Sequence, residues 1–191
     1  MIKLSMFITE EYLKSIFSLN IPKEEENQKR ISAVIIPFLL KDGEWFLIFE
    51  KKAKSLRKHA GQISFPGGIK EPNDKTLLHT AVRETCEEIG ICENDIEIIG
   101  NLEPTKTLTT NYAIYPFVGI VNRQPPYKIN TDEVEKLLFV PLDFLIKHYP
   151  IKKGKLKYQG KIRETLLIEY EGEIIWGATA RILNKLLPKL L

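Results

Sequence analysis

One stretch of this 191-residue chain restricts its fold more than any other. It runs Phe65-Pro66-Gly67-Gly68, passes through a polar turn containing Asp74, and enters a segment with helical periodicity at about 76 to 89 that stops at Gly90. At about 100° per residue, Leu78, Val82, Cys86 and Ile89 share one arc, with Thr85 beside them. Glu84, Glu87 and Glu88 fall on the opposite arc, because residues three and four apart are neighbours on a helix. The spacing predicts a helix that buries one side and presents three carboxylates on the other, with Gly90 as its C-cap.

Like charges at this spacing repel, so the cluster asks for compensation. A solvated acidic face would serve for Glu87-Glu88 alone. The glycine pair, Arg83 and Gly90 at these offsets point instead to a divalent cation, and hard oxygen ligands suit Mg²⁺ or Mn²⁺, ions that commonly hold phosphates.

The run resembles the signature box of the Nudix hydrolases: a glycine, an acidic residue, then Arg-Glu-x-x-Glu-Glu-x-Gly. The interval from Gly68 to Arg83 is one residue longer than in the usual box, and the acidic position is Asp74 rather than glutamate. The resemblance implies metal binding by Glu84, Glu87 and Glu88, with the Gly68 carbonyl as a further ligand. It also implies an α/β/α sandwich around a mixed β-sheet.

The chain carries 28 basic and 25 acidic residues, interleaved, for a net charge of +3. Nothing in that balance requires a nucleic-acid partner. Cys86 and Cys92 do not make a disulfide framework, and Cys86 on the apolar arc reads as a buried free thiol. No signal-peptide core or membrane-length apolar run is evident. The expectation is a reduced, cytoplasmic, soluble protein without a membrane partner, its oligomeric state open, a homodimer included.

In chain order, residues 9 to 19 read as a short helix capped by Thr9, and Glu24 to Arg30 as a polar loop. Ile31 to Leu40 and Trp45 to Lys51 read as strands joined by an Asp42-Gly43 hairpin. Gln62 to Phe65 reads as a short strand, and Ile96 to Leu102 as another. Tyr112 to Val121, interrupted by Pro116, suits an edge strand or bulge. A strand near Leu137-Leu138-Phe139 and a helix at about 142 to 148 follow. Lys155 to Tyr158 and Glu164 to Tyr170 read as strands, and Trp176 to Leu187 as a helix. With no repeat and no long linker, residues 1 to 191 read as one domain, with 1 to 30 as an N-terminal helix and loop extension.

A second motif precedes the box: Leu56-Arg57-Lys58-His59-Ala60-Gly61-Gln62-Ile63-Ser64-Phe65-Pro66-Gly67-Gly68. Arg57, Gly61 and Phe65 to Gly68 resemble the extra motif of the coenzyme A pyrophosphatase branch. Upstream the chain departs from that branch, with Glu50 after Ile48-Phe49 where threonine is usual. Arg57, Lys58 and His59 put positive charge before the glycines, and Gly61, Gly67 and Gly68 permit close backbone approach. A solvated basic turn would have the same composition. Ile175 to Leu183 also resembles the branch, and there the reading is core packing, with Gly177 allowing close contact.

The resemblance implies metal-dependent hydrolysis of the pyrophosphate bond of coenzyme A or its derivatives, giving 3′,5′-ADP and 4′-phosphopantetheine. The alternatives are another nucleoside diphosphate derivative, such as ADP-ribose or an oxidised nucleotide, and a non-catalytic nucleotide-binding module. Arg83 would orient a glutamate. Glu88 and Glu133 are the candidates for general base, Glu133 having an equal reading as a surface loop residue. His79 reads as solvated and His148 as a helix-end charge.

Overall fold

The computed structural model describes residues 7–22, 31–56, 59–107, 113–158 and 160–191. The predicted loop from Glu24 to Arg30, and the Arg57-Lys58 pair, lie outside those residues.

A long hairpin anchors the fold. Strand β1 (Ile31–Lys41) turns at Asp42-Gly43 into β2 (Glu44–Lys52), with Lys41 paired to Glu44. Both turn residues have positive φ, 51° and 78°, as the tight hairpin predicted from Asp-Gly requires. The remaining strands are β3 (Ile63–Ser64), β4 (Gly67–Ile69), β5 (Ile96–Asn101), β6 (Thr105–Lys106), β7 (Ala113–Val121), β8 (Val134–Pro141), β9 (Lys153–Tyr158), β10 (Lys161–Tyr170) and β11 (Glu173–Trp176). The helices are α1 (Glu10–Ile16), α2 (Leu77–Ile89), α3 (Leu142–Lys147) and α4 (Gly177–Leu186).

The main sheet runs β3-β2-β1-β7-β5, with β4 on β1, β6 on β7 and β8 on β2, while β11-β10-β9 form a smaller sheet. The β1–β7 pairing is parallel and the others are antiparallel, so the main sheet is mixed. Period-2 alternation sends its strand residues to two cores. Ala33, Ile35, Leu39 and Ile48 pack with Leu77, Ala81 and Ile89 of α2 on one face. Val34, Ile36, Phe38, Leu47 and Phe49 pack with Leu13 of α1, Leu145 of α3 and Leu183 and Leu186 of α4 on the other. This is the expected α/β/α sandwich.

The strand with Pro116 is central rather than an edge. Proline is accommodated because the neighbour changes there: β5 pairs β7 from Phe117 onward and β6 pairs it only up to Ile114. Pro37 sits in the matching gap of β1, between the stretch paired with β4 (Ser32 to Val34) and that paired with β2 (Phe38 to Lys41). There the β1 and β2 strands diverge, and the β3–β4 connection enters the fork. Gly177 is explained by its φ of 65° and not by close contact, since nothing lies within 4 Å of where a Cβ would stand. Among the described residues no helix is long and apolar enough to cross a membrane.

Candidate functional site at the β1–β2 fork

Helix α2 is defined at both ends by its own sequence. The Thr76 hydroxyl accepts from the His79 N–H at 3.0 Å, and Gly90 closes the helix in the left-handed region at φ 68°. Its buried residues are Leu77, Thr80, Ala81, Thr85, Glu88 and Ile89. The expected separation of an apolar face from an acidic one is therefore corrected. Glu88 lies on the packed face at 3% exposure, whereas Leu78, Val82 and Cys86 lie on a partly exposed flank. Polar groups can occupy the packed face because each is hydrogen-bonded: Thr80 donates to Asp74, Thr85 donates to the Ala81 carbonyl, and Glu88 meets the groups described next. Cys86 is not a free thiol; it is disulfide-bonded to Cys92.

Glu88 joins three elements. Its Oε2 accepts from the Gly67 N–H of β4 at 2.9 Å, and its Oε1 is bound by the Lys52 ammonium at the end of β2. The same ammonium lies 2.7 Å from Glu50 Oε1, which also accepts from Ser64 at 3.1 Å. Glu50 is fully buried, and among the described residues its Oε2 finds no hydrogen-bond partner. Burial, followed by the charge of Glu88, pushes the Glu50 carboxyl up to about 8, against the pull of Lys52 and Ser64. Burial lowers the Lys52 ammonium, but Glu50 and Glu88 outweigh it and hold it above the ordinary lysine range.

The sequence reading assigned nothing to Glu50 and Lys52. The signal was alternation: Ile48 faces α2, so residues 50 and 52 of the same strand face it too.

Gly68 gives the Glu84 carboxylate its space, and Gly67 lets β4 lie close against β1. A Cβ on Gly68 would stand 2.3 Å from Glu84 Cδ, and one on Gly67 would stand 2.3 Å from the Ala33 carbonyl oxygen. Glu84 is half-buried, and that burial raises its carboxyl pKa while Arg83 opposes the shift.

Arg83 organises the outer side. Its guanidinium donates to Asp74 through Nε and Nη2 (2.9 and 3.0 Å), to Glu84 at 2.9 Å and to Glu87 at 3.0 Å. Asp74 also accepts from the Glu71 N–H and the Thr80 hydroxyl. These bonds, Arg83 foremost, hold its carboxyl below the ordinary aspartate range. Glu87 is the outermost carboxylate, its side chain 58% exposed. His79 is exposed as expected, but its ring reaches Asp74 at 3.3 Å.

The other predicted residues are more peripheral. His59 has φ 59°, is exposed, and bonds the Gln62 side chain at 2.8 Å. Gly61, at φ 68°, donates to the Lys52 carbonyl at 3.0 Å, tying its loop to the end of β2. The Glu133 carbonyl accepts from the Ala53 N–H at 2.8 Å, which brings its loop to the same strand end, but its side chain is exposed and meets Asn130.

Carboxylate oxygens at a glycine turn suit a hard divalent cation. In this arrangement Lys52 and Arg83 neutralise them, and among the described residues no group of three or more His, Cys, Asp or Glu side chains is set as a metal cage. The fit rests on the donor set and on the buried Glu50 oxygen that has no partner among the described residues.

Residues 29–159 match the NUDIX domain family model. The chain is 32% identical over 195 residues to the uncharacterised Nudix hydrolase NudL of Yersinia pestis (strain Pestoides F), covering 96% of this chain and 97% of that protein. Among solved structures, a MutT/nudix family protein from Enterococcus faecalis aligns with a TM-score of 0.55 at 13% identity, over 87% of this chain and 62% of the other. A NUDIX hydrolase from Alicyclobacillus acidocaldarius aligns with a TM-score of 0.53 at 15% identity, over 86% and 93%. These structural likenesses concern the fold.

Proposed function

The chain belongs to the Nudix hydrolase family, and on that premise we propose that it hydrolyses the pyrophosphate bond of coenzyme A or a coenzyme A derivative, yielding 3′,5′-ADP and 4′-phosphopantetheine or its acyl form. The observation that carries the hydrolytic reading is the meeting of Gly67 and Gly68 with Glu88 and Glu84. A backbone turn without side chains, lined by carboxylates, would be acidic enough to recruit the counter-ion of a diphosphate.

Glu84, Glu87 and Glu88 would hold Mg²⁺ or Mn²⁺, with the Gly68 carbonyl as a further ligand. When bound, such an ion supplies charge neutralisation at the diphosphate and acidifies the attacking water. Arg83 fixes Glu84 and Glu87 through its guanidinium, and Asp74 fixes Arg83. Glu88, held by Gly67 and Lys52, is one candidate to accept the proton from water. Glu133 is the other, its loop tied to the end of β2 through Ala53.

The coenzyme A assignment is supported by the run from Arg57 to Gly68, whose cationic start would suit the extra 3′-phosphate. His59 and Gly61 would shape the loop that receives it. The test is a product screen over coenzyme A, dephospho-coenzyme A, ADP-ribose and 8-oxo-dGTP, each with Mg²⁺ and with Mn²⁺. Coenzyme A is expected to turn over fastest. Equal turnover of dephospho-coenzyme A and ADP-ribose would replace this reading with a broader nucleoside diphosphate hydrolase. No turnover of any of them with either ion would favour a binding module.

A further inference from the structure

We propose that Glu50 is a further cation-ligating residue of this site, and that the Lys52 ammonium occupies the cation's place until the ion binds. The inference rests on the metal-dependent reading above and adds a residue to it.

Glu50 lies on β2, outside the box that supplies Glu84, Glu87 and Glu88. It is fully buried, yet among the described residues only one of its oxygens is engaged, by Lys52 and Ser64. The other is buried and has no hydrogen-bond partner among those residues. A carboxylate kept for packing would not ordinarily leave a lone pair unsatisfied in the interior, because water has been given up and nothing returned. Lys52 is the one cation bonded to both Glu50 and Glu88 among the described residues, and it faces two carboxylates with a single charge. Among the described residues that pocket keeps an idle, buried oxygen beside Glu88, and a divalent ion, which gathers several oxygen ligands, would engage it where the ammonium does not. The ammonium is also on a flexible four-carbon stem, so it can withdraw without moving the strand.

The backbone supports the same assignment. Glu50 pairs with Ser64 on β3, two residues before the Pro66-Gly67 turn, and Gly67 donates to Glu88. Glu50 and Glu88 thus flank the turn from the β2 side and the α2 side.

The test is Mn²⁺ binding, followed by calorimetry and by the Mn²⁺-induced rise in melting temperature, on the full chain without nucleotide. Wild type is compared with Glu50→Gln, Lys52→Met and Glu88→Gln. Glu50→Gln keeps the side-chain volume and the Ser64 contact, and is expected to weaken Mn²⁺ binding at least tenfold. Lys52→Met removes the competing ammonium, so its thermal response to Mn²⁺ is expected to exceed that of wild type. Wild-type Mn²⁺ affinity in Glu50→Gln, with Glu88→Gln impaired, would overturn this inference and leave the metal-dependent reading standing. A smaller Mn²⁺ response in Lys52→Met would overturn the place-holding role. Absence of Mn²⁺ binding by wild type would overturn both the inference and the reading beneath it.

Discussion

Arg83 grips Asp74 with two parallel hydrogen bonds, Nε to Oδ1 at 2.9 Å and Nη2 to Oδ2 at 3.0 Å. The fork-to-fork geometry fastens the turn before α2 onto the helix itself. It also leaves the rest of the guanidinium aimed at Glu84 and Glu87.

Asp74→Asn is therefore expected to lower stability by about 2 kcal/mol at neutral pH, the scale of a hydrogen-bonded charge lost from a packed site. The Asp74 carboxyl is held below its ordinary range by Arg83. A depressed carboxylate stabilises the fold above its unfolded pKa of about 3.9, and that contribution is lost as pH falls further. Urea denaturation at pH 7 should separate wild type from the variant, and the gap should close in acid. A gap that persists undiminished well below pH 3 would show that the charge is not the source.

Gly67→Ala and Gly68→Ala should fail in different ways. At Gly67 the new Cβ meets the Ala33 carbonyl of β1 and the backbone sits at φ 142°. Roughly 1–3 kcal/mol of stability should be lost there. At Gly68 the Cβ meets the end of the Glu84 side chain, which can swing away. Thermal melts should move little for Gly68→Ala while turnover collapses.

Glu88→Gln is expected to reduce kcat by roughly 10²–10⁴-fold. Glu133→Gln should leave the melting temperature unchanged, since its side chain is exposed and meets Asn130. Steady-state kinetics on the pair assign the base: a comparable loss in Glu133→Gln names Glu133, and unimpaired turnover excludes it.

The Cys86–Cys92 bond ties the end of α2 to the chain beyond Gly90 across a sequence separation of six residues. Reduction, or Cys92→Ser, should cost about 2 kcal/mol by loop-closure entropy. Denaturation with and without reductant checks it, and identical midpoints would contradict the estimate.

Much of this was legible in the sequence because it depends on neighbours along the chain. Thr76 and Gly90 bracket α2, Asp42-Gly43 makes the hairpin, and the order of elements implies helices layered on a sheet, which the family resemblance sharpens to the sandwich. What was misread depends on partners far away. Glu88 looked solvent-facing because a helical wheel ranks residues by polarity, and it cannot show that Gly67 and Lys52 wait on the other side. Cys86 looked like a buried thiol because Leu78 and Val82 seemed to define the packed arc; that flank is partly exposed, and Cys92 is within bonding reach. Pro116 looked like an edge signal because a lone strand does not reveal that its neighbour changes from β6 to β5 beside it. Glu50 stood out only as a departure from the branch pattern, and neither it nor Lys52 was given a role because the apolar run ends at Phe49, although the same alternation continues through them.

The divergence of β1 from β2 makes room for the Pro66-Gly67 turn, whose Pro66 carbonyl accepts from the Ile35 N–H of β1. Each arm is pinned independently, β1 by its long parallel partner β7 and β2 by β8. The connection from β2 to β3 returns to the strand it left, where Gly61 donates to the Lys52 carbonyl and β3 pairs with β2. The α2 carboxylates are held instead by Arg83, Lys52 and the Gly67 N–H, so we expect changes in the length or charge of that connection to alter substrate preference more than the alignment of these groups.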